Sequence, residues 1–270
     1  MTMLTEIAYA KINLALHVRK RRDDGYHELE TLFAFADTGD VLTAEPADKL
    51  SLNIVGPFAD GLTSDADNLV MRAATALQTH GQGARIVLHK NLPIASGIGG
   101  GSADAAAALR LLSRLWEFDV DLQPIAASLG ADVPACLYSE TMWGEGIGDE
   151  LKLFDGVGIS STSILLVNPG IACPTGPMFA VWDGIDRGGL DPRRWIGGRN
   201  DLQDSAVMLF PEIATVLSVL DTQRGIRLAR MSGSGATCFA LFETIAQRDH
   251  ACASITEDNP SWWTLKAALR

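Results

Sequence analysis

Between Lys90 and Leu112 the chain reads KNLPIASGIGGGSADAAAALRLL. An apolar strand pattern, ARIVLHKNL, leads into this stretch, and a helix from about Ser102 to Trp116 leads out of it. A strand, a glycine loop and a helix in that order leave the chain few local arrangements. Glycines let backbone N–H groups converge without Cβ obstruction. The first turn of the following helix adds unpaired N–H groups and the positive end of its dipole. This is the physics of an anion cradle. The plain alternative is a tight strand-to-helix turn with Ser102 as the helix cap. Two phosphate loops are excluded. A Walker loop needs G-K-[ST], and no lysine lies between Asn91 and Lys152. A dinucleotide loop needs glycine or alanine sixth in G-x-G-x-x-G/A, for close packing of helix on strand. Counted from Gly97 that position is Ser102, and counted from Gly99 it is Asp104.

The rest of the chain reads as α+β. Residues 7–18 alternate, with Ile12, Leu14, Leu16 and Val18 on one face and Lys11, Asn13 and His17 on the other, a strand pattern. An Asp24-Gly25 turn follows. LETLFAFA, VLTAEP and LSLNIV then read as further strands, giving an antiparallel sheet up to that point. DADNLVMRAATALQTHG reads as a helix capped by Asp67 or Asn68, with Leu69, Ala73, Ala76 and Leu77 at helical spacing. Short helices are expected in LQPIAASLG, which stops at Gly130, and in ADVPACLY, where Pro134 suits a first helical turn. The glycine- and serine-rich segment 144–163 suggests a boundary, so two units are expected, 1–155 and 156–270. The second half carries the strand SILLVNPG and helices near 177–183, 201–209 and 212–222. The strands IRLAR and TCFALF then flank a second glycine loop, MSGSGA. A helix and a short strand close the chain.

Composition narrows the ligand classes. Apolar residues make up 47% of the 270, enough for an ordinary core, and the formal net charge is -11. Excess acid repels polyanions, which argues against nucleic acid and against anionic membrane surfaces as partners. Glu6 and Lys11 interrupt the N-terminal apolar pattern, so no secretory leader is expected there. No apolar run approaches the roughly 18 residues of a membrane span. Cys136, Cys173, Cys238 and Cys252 form no C-x-x-C pair, which speaks against a disulfide framework or a zinc site. A protein of the cytoplasm is expected.

PIASGIGGGSADAAA resembles the ATP loop of the GHMP small-molecule kinases. Further stretches resemble that family in the same order: AKINLAL (10–16), DGYHELETLF (24–33), DNLVMRAA (67–74), LGADVPACL (129–137), NPGIACPTGPMF (168–179), NDLQ (200–203) and MSGSGATCFALF (231–242). Together they span most of the chain and form a specific set. The resemblance implies the two-domain GHMP kinase architecture, with the active site in the cleft between domains. It also implies ATP with Mg2+ and a small-molecule acceptor. The acceptor implied is the 2-hydroxyl of 4-diphosphocytidyl-2-C-methyl-D-erythritol, in non-mevalonate isoprenoid precursor synthesis. Other kinases of the family, acting on homoserine, mevalonate or a sugar, are the alternative, and a nucleotide-dependent oxidoreductase is a more distant one. A monomer or homodimer is expected.

The resemblance assigns residues one by one. Lys11 and Asp132 are implied as catalytic, Asp132 as the acid–base group or as an orienting group. A lysine near a carboxylate favours its ionised form, which can accept a hydroxyl proton. Pro93, Ile94, Ala95, Ser96, Gly97, Ile98, Gly99, Gly100, Gly101, Ser102 and Ala103 are implied to hold the phosphates. Lys90 and Asn68 are implied near the adenine, where the plain readings are an exposed lysine at a strand end and a helix cap. Asn13, Tyr26, His27, Thr175 and Phe179 are implied to bind the acceptor. Tyr26 and Phe179 would cover the two faces of the cytosine and His27 its edge. HELE at 27–30 lacks the second histidine of a zincin, so no metal ligand is assigned there. Two positions depart from the pattern. Ala103 supplies no hydroxyl, leaving Ser102 or water to serve. Asp104 places a negative charge beside the phosphates, and either faces away from them or helps hold magnesium.

Overall fold

The computed structural model describes residues 3–79, 81–156 and 158–270. The fold is α+β, and it divides into two compact units that interleave along the chain. Unit 1 comprises residues 1–10, 38–94 and 99–139. Unit 2 comprises residues 11–37, 95–98 and 140–270. Two long strands, β1 (Leu4–Arg21) and β2 (His27–Ala47), contribute to both. LETLFAFA and VLTAEP are therefore one 21-residue strand and not two. Nothing between them breaks an extended chain except Gly39, and that glycine is required. An ideal Cβ there would stand 1.9 Å from the Ala8 carbonyl oxygen of β1. The division also differs from the contiguous one expected at 155/156, because these strands carry the chain from unit to unit.

In unit 1, β2 pairs antiparallel with β4 (Gly83–His89), from Val41–His89 to Ala47–Gly83. β3 (Ser51–Val55), expected to continue an antiparallel sheet with the strands before it, pairs instead with β4, and in parallel. The helix α1 (Leu69–Leu77) lies between β3 and β4 in sequence, and a parallel pair needs such a crossover. Asn68 caps α1, its Oδ1 accepting the Val70 N–H at 2.9 Å. The buried face is Val70, Ala73, Ala74 and Leu77, a small rotation from the expected one that leaves Ala76 exposed.

The central helix of unit 1 is α2 (Gly100–Leu115), which packs against α1, α3 (Gln123–Leu129) and α4 (Val133–Tyr138). Its residues 103–109 are buried without a break, so it is covered on every side. Alanines at 103 and 105–108 let neighbouring helices approach closely. Leu109, Leu111 and Leu112 supply apolar burial worth roughly 1.5–3 kcal/mol each.

Unit 2 contains a four-stranded antiparallel sheet in the order β10-β7-β9-β8. The strands are β7 (Ser163–Asn168), β8 (Ile226–Met231), β9 (Cys238–Phe242) and β10 (Trp263–Ala268). Every residue of β7 and β9 is buried, as befits its two central strands. α7 (Glu212–Asp221) packs on β8 and β9, and α8 (Ile245–Asp258) on β7, β9 and β10. The shorter helices α5 (Thr175–Ala180) and α6 (Gln203–Leu209) precede them. The unit also holds a hairpin of β5 (Met142–Glu145) and β6 (Glu150–Leu153), with β5 paired to β2 at Thr31–Phe33. The segment expected as a boundary is this hairpin and its turns.

Candidate active site

The glycine loop passes from unit 2 to unit 1 between Ile98 and Gly99. Ala95, Gly97 and Gly99 adopt positive φ of 49°, 76° and 65°. Such backbone is natural for glycine and strained for alanine, and strain of this kind collects at functional sites. Gly99 occupies the N-cap of α2 and no side chain caps the helix. Ser102 is therefore not the cap: the N-cap is Gly99, three residues earlier, and α2 starts at Gly100. The N–H groups of its first turn have no acceptor within the helix. Gly101 is exposed and Ser102 half-buried, while Ala103 is turned inward.

Within unit 2 the two glycine loops lock together. Ser232 Oγ donates to the Gly97 carbonyl at 2.9 Å, and the Thr237 N–H to the Ser96 carbonyl at 3.1 Å. A Cβ on Gly97 would stand 2.4 Å from the Ser232 carbonyl oxygen, and one on Gly233 2.8 Å from the Gly97 carbonyl oxygen. No side chain fits at either point. The Cys173 N–H donates to the Ala95 carbonyl at 2.8 Å, tying the same loop to the ACPT stretch.

Lys11 and Asn13 stand beside this lock. The alternation of β1 suggests a solvated polar face, but Lys11, Asn13 and His17 are only 2–3% exposed, because this part of β1 is covered on both sides. The Lys11 backbone N–H donates to the Ile98 carbonyl at 3.0 Å. Its Nζ lies 3.3 Å from Asn13 Oδ1 and 4.4 Å from the centre of the Phe33 ring. Asn13 Nδ2 donates to Thr31 Oγ1 at 2.8 Å, and the Asn13 N–H to Ser232 Oγ at 3.1 Å. Three side-chain and backbone bonds thus fix the orientation of Asn13. Thr31 and Ser232 are not picked out individually by the sequence, although His27, Leu29 and Thr31 share a strand face by simple alternation.

His27 starts β2 and is buried, its ring 4.8 Å from Phe179 at a tilt of 32° and 5.6 Å from Trp182, edge-on. Burial, and then the Arg21 guanidinium, push its pKa below the usual histidine value. At neutral pH it is a neutral imidazole with one donor and one acceptor nitrogen. Tyr26, one residue earlier, is 59% exposed, a free aromatic face beside a turn. Thr175 opens α5, with Oγ1 3.2 Å from Ser234 Oγ. Trp182 escaped the sequence reading. It follows Phe179 by three residues, one turn of helix, and that spacing was its only signal.

In unit 1, Asp132 lies in the turn between α3 and α4, half-buried. It stands at the N-cap of α4, yet its side chain makes no capping hydrogen bond, so the plain capping reading fails. The backbone carries the turn instead, with the Cys136 N–H donating to the Asp132 carbonyl at 3.1 Å. Lys90 is not an exposed lysine at a strand end. Its Nζ is buried between Asp40 and Asp104 at 2.5 and 2.6 Å. Asp104 thus spends one carboxylate oxygen on Lys90. Asn68 spends its Oδ1 on the cap and its Nδ2 on the Thr63 carbonyl at 2.8 Å.

Residues 68–140 match the GHMP kinases N terminal domain and residues 192–260 the GHMP kinases C terminal domain. A 4-diphosphocytidyl-2-C-methyl-D-erythritol kinase of Rhizorhabdus wittichii is 53% identical over 278 residues, covering 98% of this chain and 94% of the relative. The chain belongs to the 4-diphosphocytidyl-2-C-methyl-D-erythritol kinase family of the GHMP kinases. A second member of that family, from Novosphingobium aromaticivorans, is likewise 53% identical, covering 99% of this chain and 93% of its own. The crystal structure of a 4-(cytidine 5'-diphospho)-2C-methyl-D-erythritol kinase superposes with a TM-score of 0.84 at 34% identity, covering 98% of this chain and 99% of that one. A homoserine kinase from Cytophaga hutchinsonii shares the fold at 18% identity, TM-score 0.74, covering 100% of this chain and 95% of its own. The fold is thus general to GHMP kinases, whereas the high identity lies with the cytidyl-substrate family.

Proposed function

We propose that this chain transfers the γ-phosphoryl group of ATP to the 2-hydroxyl of 4-diphosphocytidyl-2-C-methyl-D-erythritol, releasing ADP and the 2-phosphate. The observation that carries the reading is the 53% identity, over nearly the whole length, to kinases named for that substrate. ATP is the phosphate donor of GHMP kinases, and the loop suits its phosphates. Gly97 and Gly99 hold backbone that other residues resist, and the first turn of α2 is uncapped by any side chain. Magnesium would come bound to the nucleotide. Among the described residues no group of three or more His, Cys, Asp or Glu side chains is placed to hold a metal ion. Among the same residues no helix is long and apolar enough to cross a membrane. We place the reaction in the cytoplasm.

Phosphoryl transfer asks mainly for positioning and charge neutralisation. Lys11, a buried cation held by Asn13, serves the second need. Asp132 accepts the proton of the attacking hydroxyl. Asn13 fixes the acceptor near Lys11, and Thr175 adds a hydroxyl from the start of α5. Neutral His27 can donate to and accept from the edge of a cytosine, which presents both an amino donor and ring acceptors. Tyr26 and Phe179 offer their faces to the ring. Replacing Tyr26 by alanine should raise KM for the cytidyl substrate by about 5- to 150-fold, the equivalent of roughly 1–3 kcal/mol of base stacking. The KM for ATP should stay near wild type; a change in ATP affinity alone would remove Tyr26 from the cytosine.

The direct test incubates purified protein with labelled ATP, magnesium and a panel of acceptors. Label should pass to 4-diphosphocytidyl-2-C-methyl-D-erythritol and not to homoserine, mevalonate or galactose. Transfer to one of these others, with none to the cytidyl compound, would replace the reading by that alternative.

A further inference from the structure

Directly beneath the first turn of α2, two carboxylates share one ammonium. The side chains of Lys90, Asp40 and Asp104 are 3%, 0% and 5% exposed. With all three ionised the group carries one uncompensated negative charge in a buried place, which is costly. The hydrogen bonds decide where a proton relieves it. Asp40 accepts Lys90 Nζ on Oδ2, and its Oδ1 accepts the N–H groups of Asn91 and Leu92 at 2.5 and 2.8 Å. Asp104 accepts Lys90 on Oδ2, and its buried Oδ1 has no partner. Three donors stabilise the Asp40 carboxylate and one the Asp104 carboxylate, so Asp104 is the proton's place.

The electrostatics agree. Burial pushes the Asp104 pKa up to about 7; Lys90 opposes the rise and Asp40 adds to it. Burial also works against the Lys90 ammonium, but Asp104 and Asp40 outweigh it and its pKa is raised. The neighbouring helices α1, α3 and α4 carry only Arg72, Cys136 and Tyr138 as titratable residues. The charges that act on Asp104 are those of Lys90, at the end of β4, and Asp40, on β2. The group also touches the loop. An ideal Cβ on Gly100 would stand 3.1 Å from Lys90 Nζ and 4.0 Å from Asp40 Oδ2.

We infer that Asp104 sets the affinity for ATP by binding a proton when the nucleotide binds. The inference rests on the reading of residues 93–103 as the phosphate cradle. Asp104 lies one helical turn from the N–H groups that face the phosphates. A polyphosphate arriving there makes the ionised carboxylate costlier and draws a proton from solvent onto it. The proton returns to solvent when the nucleotide leaves, and no bond of the nucleotide changes. Protonated Asp104 also leaves the positive end of α2 unopposed.

The test is isothermal titration calorimetry of MgATP in buffers of differing ionisation enthalpy, between about pH 6 and 8, with magnesium saturating. Wild-type protein should take up about half a proton per nucleotide near pH 7, nearly one near pH 8 and almost none near pH 6. Its affinity should fall severalfold over the same rise in pH. Asp104→Asn keeps the Lys90–Asp40 pair and is neutral throughout, so its uptake should vanish and its affinity become flat. MgATP binding without proton uptake in wild type would overturn the inference and leave the cradle standing, as would equal uptake in Asp104→Asn. Absence of MgATP binding altogether would remove the cradle as well. The wild-type uptake curve decides the matter even if the variant folds poorly.

Discussion

Asp132→Asn should lower kcat by about 10²- to 10⁴-fold, the usual contribution of a positioned general base. The amide keeps the size and shape of the carboxylate but cannot accept the hydroxyl proton. The fold should tolerate the change, since α4 starts without any cap from this side chain and its first turn is held by backbone bonds and Pro134. Thermal unfolding should therefore shift little, and binding of ATP and of the cytidyl acceptor should persist. Steady-state kinetics beside a binding titration separate the two effects. Turnover close to wild type would show that Asp132 only orients the acceptor, and that positioning and the Lys11 charge carry the transfer.

Lys90→Met should cost about 3–5 kcal/mol of stability, the penalty for breaking a buried ion pair and stranding its partner. Here two carboxylates are stranded, Asp40 and Asp104, both nearly free of solvent. The loss should depend on pH. The Asp104 pKa stands at about 7 in the folded chain against 3.8 for an ordinary Asp, so the folded state binds the proton more tightly. Such a group costs stability as pH rises from about 4 through 7. Removing the ammonium that lowers this pKa extends the cost to higher pH. The deficit of Lys90→Met should therefore stay level up to about pH 7 and grow above it, measured by the urea midpoint. A second change, Asp104→Asn, should recover part of it at the upper end. A deficit below about 1 kcal/mol, or one independent of pH, would show that water reaches the group and compensates it.

The sequence reveals local structure well wherever local chemistry is decisive. Alternation marks β1, glycine and proline mark the turns, and Asn68 marks the start of α1 through a bond two residues away. It is silent about partners set by distant chain. Lys11 and Asn13 read as a solvated face because alternation cannot tell water from a second covering layer. Lys90 reads as a surface lysine because its partners lie 50 positions before it and 14 after it. LSLNIV reads as one more antiparallel strand, yet β3 pairs in parallel with β4, since strand direction depends on where a crossover helix packs.

By itself, then, the sequence determined that a glycine loop enters an alanine-rich helix, that the chain is α+β, and which motifs place it among the GHMP kinases. Those features rest on interactions within a few residues, or on the order of motifs along the chain. Tertiary structure decided that the loop is locked by Ser232 and Gly233, that Thr31 and Ser232 orient Asn13, and that Trp182 joins His27 and Phe179. It also decided the direction in which Asp104 points. At the sequence level this residue is a charge beside a phosphate loop, to be explained away or given to magnesium. Once Asp40 and Lys90 fold against it, the same carboxylate becomes a buried group short of hydrogen bonds, and its protonation follows from burial and not from its neighbours in sequence.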